Sequence, residues 1–145
     1  MVSRAFLASP IFSGVDIDRY HRDVIAGRLK PGYTIVGLDG DRLVGSVTVF
    51  PPNPGSTCIP FRTRPQLGFL TTEPGFEGKG IGTALVVAAE AYVERCGSKE
   101  MALSVTQRGF ALVRFYERLG YEKIAEHRWP KAPNPSWITM KRLRS

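Results

Sequence analysis

The chain has little sulfur or histidine chemistry, with two cysteines, Cys58 and Cys96, and two histidines, His21 and His127, in 145 residues. None of them has a partner at a metal-ligand spacing, so no metal site is predicted. The cysteines do not suggest a disulfide framework either. A reducing, cytoplasmic location is therefore the expected default.

Long apolar runs are also missing. The longest, around Ala84 to Ala89, stops at Glu90 and is too short to span a bilayer. Pro10 and Gly14 interrupt the N-terminal residues, so no signal-like segment is predicted there. We expect no membrane partner.

Acidic residues are fewer than basic ones, 13 against 20, which gives a formal net charge of +7. Such a balance fits nucleic acid, an acidic partner or an anionic cofactor. The cations are spread along the chain without a pattern of stacking aromatics, so nucleic acid is the weakest of these expectations. The length and the 43% apolar content predict one domain, residues 1–145, with its own core.

The most informative feature present is a glycine-rich turn between a strand around Leu67 to Thr72 and a helix. Glycines at positions 78, 80 and 82 leave no Cβ between the backbone N–H groups and an incoming anion. The helix start adds unpaired donors and the positive end of a dipole, so a pyrophosphate would fit. The alternative is a turn whose glycines only permit close packing of strand and helix.

Two common phosphate motifs are excluded by spacing. A P-loop requires Ser or Thr after Gly-Lys, but Gly78-Lys79 is followed by Gly80. The dinucleotide fingerprint requires a third glycine where this chain has Thr83 or Leu85.

A second segment predicts a strand over Glu100 to Thr106 and then a helix over Gly109 to Leu119. The apolar residues Leu112, Phe115, Tyr116 and Leu119 recur at helical spacing. Gly120 is placed to end this helix as a C′ glycine.

These two segments together resemble the GNAT N-acyltransferase superfamily. Its motif A, Q/R-x-x-G-x-G/A, corresponds to Glu77 through Gly82, although Glu77 stands where the family has Gln or Arg. Phe115 through Tyr121 resembles the family motif F-Y-x-x-x-G-F. The resemblance covers roughly residues 33 to 143 and implies an α/β (α+β) fold, a mixed, mostly antiparallel central sheet flanked by helices.

The resemblance further implies acetyl-CoA as donor and transfer of its acetyl group by direct attack of a primary amine, on a small molecule or a peptide. Tyr116 would be the general acid for the departing thiolate, and the backbone N–H of Leu70 would polarise the thioester carbonyl. Tyr116 could instead be a core residue. The cofactor-binding residues implied are Leu70, Thr71, Thr72, Glu77, Gly78, Lys79, Gly80, Ile81, Gly82 and Thr83.

The general base stays open. Gln66 occupies the position at which many family members carry a Glu, and it cannot titrate. Glu73, His127 and a water held by Gln66 are the candidates, and Gly109 stands where the family usually has an Asn. These departures favour an alternative function, a CoA-binding or regulatory GNAT-fold module with weak catalysis.

The N-terminal residues predict fewer elements than the family implies. Their pattern indicates a strand from Val2 to Ala8 and one helix from Asp16 to Leu29. Either the N-terminal region is shortened or a second subunit, as in a homodimer, completes that edge. A hairpin is predicted around Asp39 to Arg42. The proline-rich loop between Pro51 and Pro65 is expected to lack regular structure, as a substrate lid or a surface excursion.

Overall fold

The computed structural model describes residues 5–8, 32–76 and 78–143, with residues 5–8 described by their backbone alone. The chain divides into two compact units. Unit 1 comprises Met1–Pro51 and Leu67–Tyr92, and unit 2 comprises Pro52–Gln66 and Val93–Ser145. The helix predicted over Asp16 to Leu29 lies outside the described residues, and so does most of the N-terminal region predicted to be shortened.

Unit 1 contains strands β1 (Ala5–Ala8), β2 (Tyr33–Asp39), β3 (Arg42–Phe50) and all but the first residue of β4 (Gln66–Thr72). They are hydrogen-bonded in that order, and the β1–β2 and β2–β3 pairs are antiparallel. The predicted hairpin is confirmed, since Gly40, with φ of 64°, and Asp41 join β2 to β3. A glycine suits this turn because the left-handed region is costly for other residues.

Helix α1 (Ile81–Arg95) begins in unit 1 and packs its apolar face there. The side chains of Ile81 and Leu85 are buried and lie so close to Gly45 of β3 that a Cβ on this glycine would meet them at 3.2 and 3.0 Å. The absence of a side chain at Gly45 therefore brings the helix onto the strand. Glu90, which the helical pattern places off this face, is nevertheless buried.

Unit 2 contains strands β5 (Glu100–Thr106), β6 (Glu122–His127) and β7 (Ser136–Arg142), and helix α2 (Phe110–Arg118). Strand β7 pairs antiparallel with both β5 and β6, and Gln66 at the start of β4 pairs in parallel with Ala102 of β5. One parallel pair among antiparallel ones confirms the predicted mixed, mostly antiparallel α/β fold.

The proline-rich segment of unit 2 is more ordered than its sequence predicts. Residues Ile59–Arg62 form a short 3-10 helix with a proline in its first turn, so the expectation of no regular element is wrong here. Cys58 and Phe61 are buried in a cluster with Ala102 and Ile138. This packing argues against a free surface excursion, because burying these side chains stabilises the segment.

Helix α2 ends just before Gly120, as the sequence predicts. After α2, the N–H of Gly120 donates to the carbonyl of Glu117 and that of Tyr121 to the carbonyl of Tyr116, both at 3.0 Å, with φ of 100° at Gly120. This pair of bonds is a Schellman motif, which satisfies carbonyls that would otherwise lack partners. The same pair of bonds follows α1, where Gly97 and Ser98 donate to Glu94 and Val93.

The face of α2 differs in one detail from its sequence pattern. Val113 and Tyr116 are the buried residues of this helix, whereas Leu112 is exposed. The helix is so short that few of its residues face the sheet, and the apolar spacing through Leu112 does not identify which ones. The prediction of a single domain over residues 1–145 stays a prediction.

Candidate active site

The end of β4 carries the first predicted site residues, Leu70 to Thr72, and its backbone is unusual. Phe69 has φ of 55°, a left-handed conformation in the middle of a strand. Such a conformation costs a non-glycine residue about 1–3 kcal/mol and is common at functional bends. Phe50 lies against this bend, with its ring edge-on to Phe69 at 5.8 Å and within 3.3 Å of where a Cβ of Gly68 would be.

The orientation of the backbone after this bend follows from one hydrogen bond. The N–H of Glu73 donates to the carbonyl of Val44 in β3 at 2.8 Å. Because the backbone groups of successive strand residues point to opposite edges, those of Thr71 also face β3, whereas those of Leu70 and Thr72 face away from it. The amides predicted to bind the pantetheine arm are thus directed to the other edge of β4.

The glycine-rich turn follows. Gly78 and Gly80 have φ of 74° and 80°, and a Cβ at either position would meet no other atom within 4 Å. These two glycines therefore serve the backbone conformation and not close packing. Successive backbone N–H groups in such a turn form a concave surface that suits an anion.

The start of α1 supplies further donors beside this turn. The N–H of Ala84 donates to the carbonyl of Gly80 at 3.0 Å, which makes Gly80 the N-cap. The next three residues, Ile81, Gly82 and Thr83, then have N–H groups without an acceptor inside the helix. A helix start of this kind attracts a phosphate through its amides and its dipole.

Two cations belong to this part of unit 1. Lys79 lies within the turn and is exposed. The guanidinium of Arg42 stacks on the ring of Phe76 at 5.1 Å, just before the turn. Glu77, the predicted departure from motif A, lies outside the described residues.

Tyr116, the predicted general acid, is buried in unit 2 with 5% of its surface exposed. Its ring contacts those of Phe115 and Tyr121 edge-on, at 5.0 and 5.7 Å. Burial raises the pKa of Tyr116 to about 12, because the phenolate would lose its solvation. The phenol therefore keeps its proton at any physiological pH.

The candidates for the base lie in different surroundings. Gln66 is half-buried in the parallel pair with Ala102. Glu73 is exposed and forms a turn with Phe76. His127, at the end of β6, packs edge-on against Trp129 at 4.4 Å, and its buried Nε2 has no hydrogen-bond partner among the described residues.

Gly109, where the family usually has an Asn, is the N-cap of α2 and packs tightly. A Cβ there would lie 3.2 Å from Cγ2 of Thr106 and 3.4 Å from its carbonyl oxygen. A larger residue would require Thr106 to shift. The glycine that departs from the family pattern therefore occupies a position where Thr106 leaves little room for a side chain.

Two other kinds of feature are absent from the described residues. No group of three or more His, Cys, Asp or Glu side chains there could hold a metal ion. Within the same residues, no helix has both the length and the apolar character to cross a membrane.

Residues 6–121 match the model of the acetyltransferase (GNAT) family, and the chain belongs to this family. It is 32% identical over 98 residues to the mycothiol acetyltransferase of Geodermatophilus obscurus, covering 66% of this chain and 30% of that protein. It is 30% identical over 91 residues to N-alpha-acetyltransferase 30 of Schizosaccharomyces pombe, covering 63% and 58%. The matches thus span about a third and somewhat over half of these relatives.

A solved structure shares the fold. The GNAT family acetyltransferase from Elizabethkingia anophelis, crystallised with acetyl-CoA bound, gives a TM-score of 0.75 over 97% of this chain and 98% of that chain. The two sequences are 10% identical, so this likeness concerns the fold alone.

Three features of the site were not predicted from the sequence. They are the bend at Phe69, the stacking of Arg42 on Phe76 and a hydrogen bond between the hydroxyls of Ser46 and Thr71. Gly68 within the strand pattern is a signal that could have indicated the bend. The other two depend on strand register, for which the sequence gives no local signal.

Proposed function

We propose that this protein is an N-acetyltransferase that moves the acetyl group of acetyl-CoA to a primary amine by direct attack, without an acyl-enzyme. The observation that carries the proposal is the turn of unit 1, in which Gly78 and Gly80 have positive φ and three helix-start amides follow. A family relative crystallised with acetyl-CoA supports the choice of cofactor. The acceptor is proposed to be a small molecule or a peptide amine.

In this proposal each group acts through a simple interaction. The amides of Gly78 to Thr83 and the ammonium of Lys79 bind the pyrophosphate. The amides of Leu70 and Thr72 pair with the pantetheine arm as an added strand would. The N–H of Leu70 polarises the thioester carbonyl, and the side chains of Thr71 and Thr72 have no catalytic part.

Tyr116 is proposed to assist the departing sulfur as a donor. With a pKa of about 12, its phenol is a much weaker acid than an ordinary thiol of pKa about 8.5. Complete proton transfer is therefore uphill, and Tyr116 contributes chiefly a hydrogen bond that strengthens as charge builds on sulfur.

The amine must lose a proton during the reaction, since an ordinary primary amine is mostly protonated at neutral pH. Three candidates for its base remain, namely His127, Glu73 and a water held by Gln66. Loss of the base should lower kcat by roughly 10²–10⁴, so a fall of this size in His127→Gln alone would assign the base to His127, and in Glu73→Gln alone to Glu73. Two variants that keep their kcat would leave the water held by Gln66.

The deciding experiment combines binding with turnover. Acetyl-CoA at ~100 times its Kd should stabilise the protein by about 2.7 kcal/mol, which is several degrees in Tm. S-acetyl-pantetheine, which lacks the pyrophosphate, should give a smaller shift at equal concentration. Release of free CoA is then followed with a panel of small amines and peptide N-termini. The absence of both a shift and turnover would refute the proposal.

A second candidate function is a CoA-binding module with weak catalysis. It is favoured by Gln66, Glu77 and Gly109, which differ from the residues of catalytic relatives. A clear shift in Tm with acetyl-CoA but no CoA release with any amine would support it.

Three wider expectations accompany the proposal. The chain is proposed to act as a single domain, 1–145, and a homodimer that completes the N-terminal edge stays a prediction. A cytoplasmic location also stays a prediction, supported by the two cysteines being free.

A further inference from the structure

Three consecutive residues of β3 lie against the end of β4 and the residue that follows it, the part of unit 1 proposed to bind the pantetheine arm. The carbonyl of Val44 accepts the N–H of Glu73 at 2.8 Å. A Cβ at Gly45 would lie 2.8 Å from the carbonyl oxygen of Thr71, so only a glycine fits. The hydroxyl of Ser46 is hydrogen-bonded to that of Thr71 at 3.0 Å.

These contacts follow the bend at Phe69 directly. A strand residue with φ of 55° breaks the regular course of β4, so its last residues need other contacts to fix their direction. Thr71 provides them, because its carbonyl oxygen lies close to Gly45 and its hydroxyl is bound to Ser46. The neighbours of Thr71 on either side are Leu70 and Thr72, whose amides face away from β3.

We infer that Ser46 is a positioning residue for acetyl-CoA, which it does not touch. Through Thr71, its hydroxyl fixes the direction of the Leu70 and Thr72 amides that bind the pantetheine arm. Ser46 itself is buried, with 5% of its surface exposed. The inference rests on the proposed function.

The same strand offers a matched control. Thr48, two residues after Ser46, is also buried, and its hydroxyl is bound to that of Thr34 at 3.1 Å. This bond joins β3 to β2 and not to β4. Ser46→Ala and Thr48→Val each delete one hydroxyl of a similar pair with little change of shape.

The experiment measures Tm and the Kd for acetyl-CoA of the two variants and the parent. Both variants should melt earlier, since each leaves one hydroxyl without its partner. Only Ser46→Ala should raise the Kd, by about three- to tenfold, the range expected for one neutral hydrogen bond. Where turnover is measurable, its kcat should also fall, because the Leu70 amide would be misdirected.

A third variant tests the bond from its other end. Thr71→Val should raise the Kd about as much as Ser46→Ala, and the double variant should add little to either, because both remove the same contact. Equal Kd values for Ser46→Ala, Thr48→Val and the parent would overturn the inference, and so would additive effects in the double variant. If Ser46→Ala does not fold, an unchanged Kd for acetyl-CoA in Thr71→Val would overturn the inference in its place. A parent that does not bind acetyl-CoA would instead refute the proposed function, and with it this role.

Discussion

The two units present different kinds of chemistry. In unit 1 the candidate groups are backbone amides, held by glycines with positive φ, a helix start and a bent strand. In unit 2 the candidate is one buried side chain, Tyr116, set among aromatic rings. Backbone groups tolerate changes of most side chains around them, whereas a phenol is lost with a single substitution. We therefore expect activity to depend on backbone conformation in unit 1 and on the identity of one side chain in unit 2.

The two units also differ in formal charge. Unit 2 contains thirteen of the 20 Lys and Arg residues but only five of the 13 Asp and Glu residues. The turn proposed to bind pyrophosphate is thus in the less basic unit. Its attraction for an anion must come mainly from oriented amides, with Lys79 and Arg42 as the nearby cations described above.

The largest effect on activity is expected from the loss of the Tyr116 hydroxyl. Tyr116→Phe keeps the ring and its contacts but removes the hydroxyl, so kcat should fall by roughly 10²–10³, the effect of losing one hydrogen-bond donor to developing charge, while Tm changes little. Tyr121→Phe, a change in the neighbouring ring, is the control and should keep kcat. Equal kcat for Tyr116→Phe and the parent would make Tyr116 a core residue only.

The raised pKa of Tyr116 also predicts an alkaline loss of stability. The folded state holds this proton up to about pH 12, whereas the unfolded chain releases it near pH 10, so stability is complete below pH 10 and falls as the pH rises. Between pH 10 and 12 the parent should lose about 2–3 kcal/mol more than Tyr116→Phe. Chemical denaturation of both proteins across this range measures the difference, and parallel curves would contradict the burial of an ionisable phenol.

In unit 1 the corresponding test is conformational. Gly80→Ala forces a Cβ into the left-handed region and should weaken acetyl-CoA binding by roughly 10- to 100-fold, the effect of losing an oriented amide to a charged group. Gly40→Ala is the control, because Gly40 also has positive φ and open space but lies in the β2–β3 turn. Both should cost similar stability. Equal Kd values would assign the Gly80 conformation to the fold and not to the ligand.

The smallest effect concerns charge at the start of motif A. Replacing Glu77 by Arg removes a repulsion and adds an attraction for phosphate, so affinity should rise about three- to thirtyfold at low salt. The gain should shrink at higher ionic strength, since screening weakens exposed charges. Calorimetric titration at two salt concentrations measures this, and an unchanged or lowered affinity would contradict the electrostatic explanation.

Local signals in the sequence predicted most of the fold. Gly40 and Gly120 indicate a turn and a helix end, and each has the positive φ that only glycine adopts readily. The strand predicted over Glu100 to Thr106 has these bounds in the structure, and the helix predicted over Gly109 to Leu119 differs from α2 by one residue at each end. Such features depend on neighbours in the chain, which a single sequence displays.

Contacts between residues that are distant in the chain could not be predicted from the sequence. It did not predict that Cys58 and Phe61 pack with Ile138, so the loop between Pro51 and Pro65 was expected to lack regular structure. Nor did it pair Ser46 with Thr71, because that contact depends on the register of β3 and β4. The directions of Leu70 and Thr72 follow from the same register.

The order in which the two units appear along the chain affects their synthesis. Residues 52–66 of unit 2 leave the ribosome before 67–92 of unit 1, and their partners follow only afterwards. Because synthesis proceeds at ~5–20 residues per second, several seconds pass between the synthesis of Phe61 and that of Ile138. During that interval the ring of Phe61 is without the cluster that buries it in the finished protein. Neither unit can be produced as one continuous fragment, and a chain cut after Tyr92 would contain residues 52–66 without Ala102, Ile138 or Trp129.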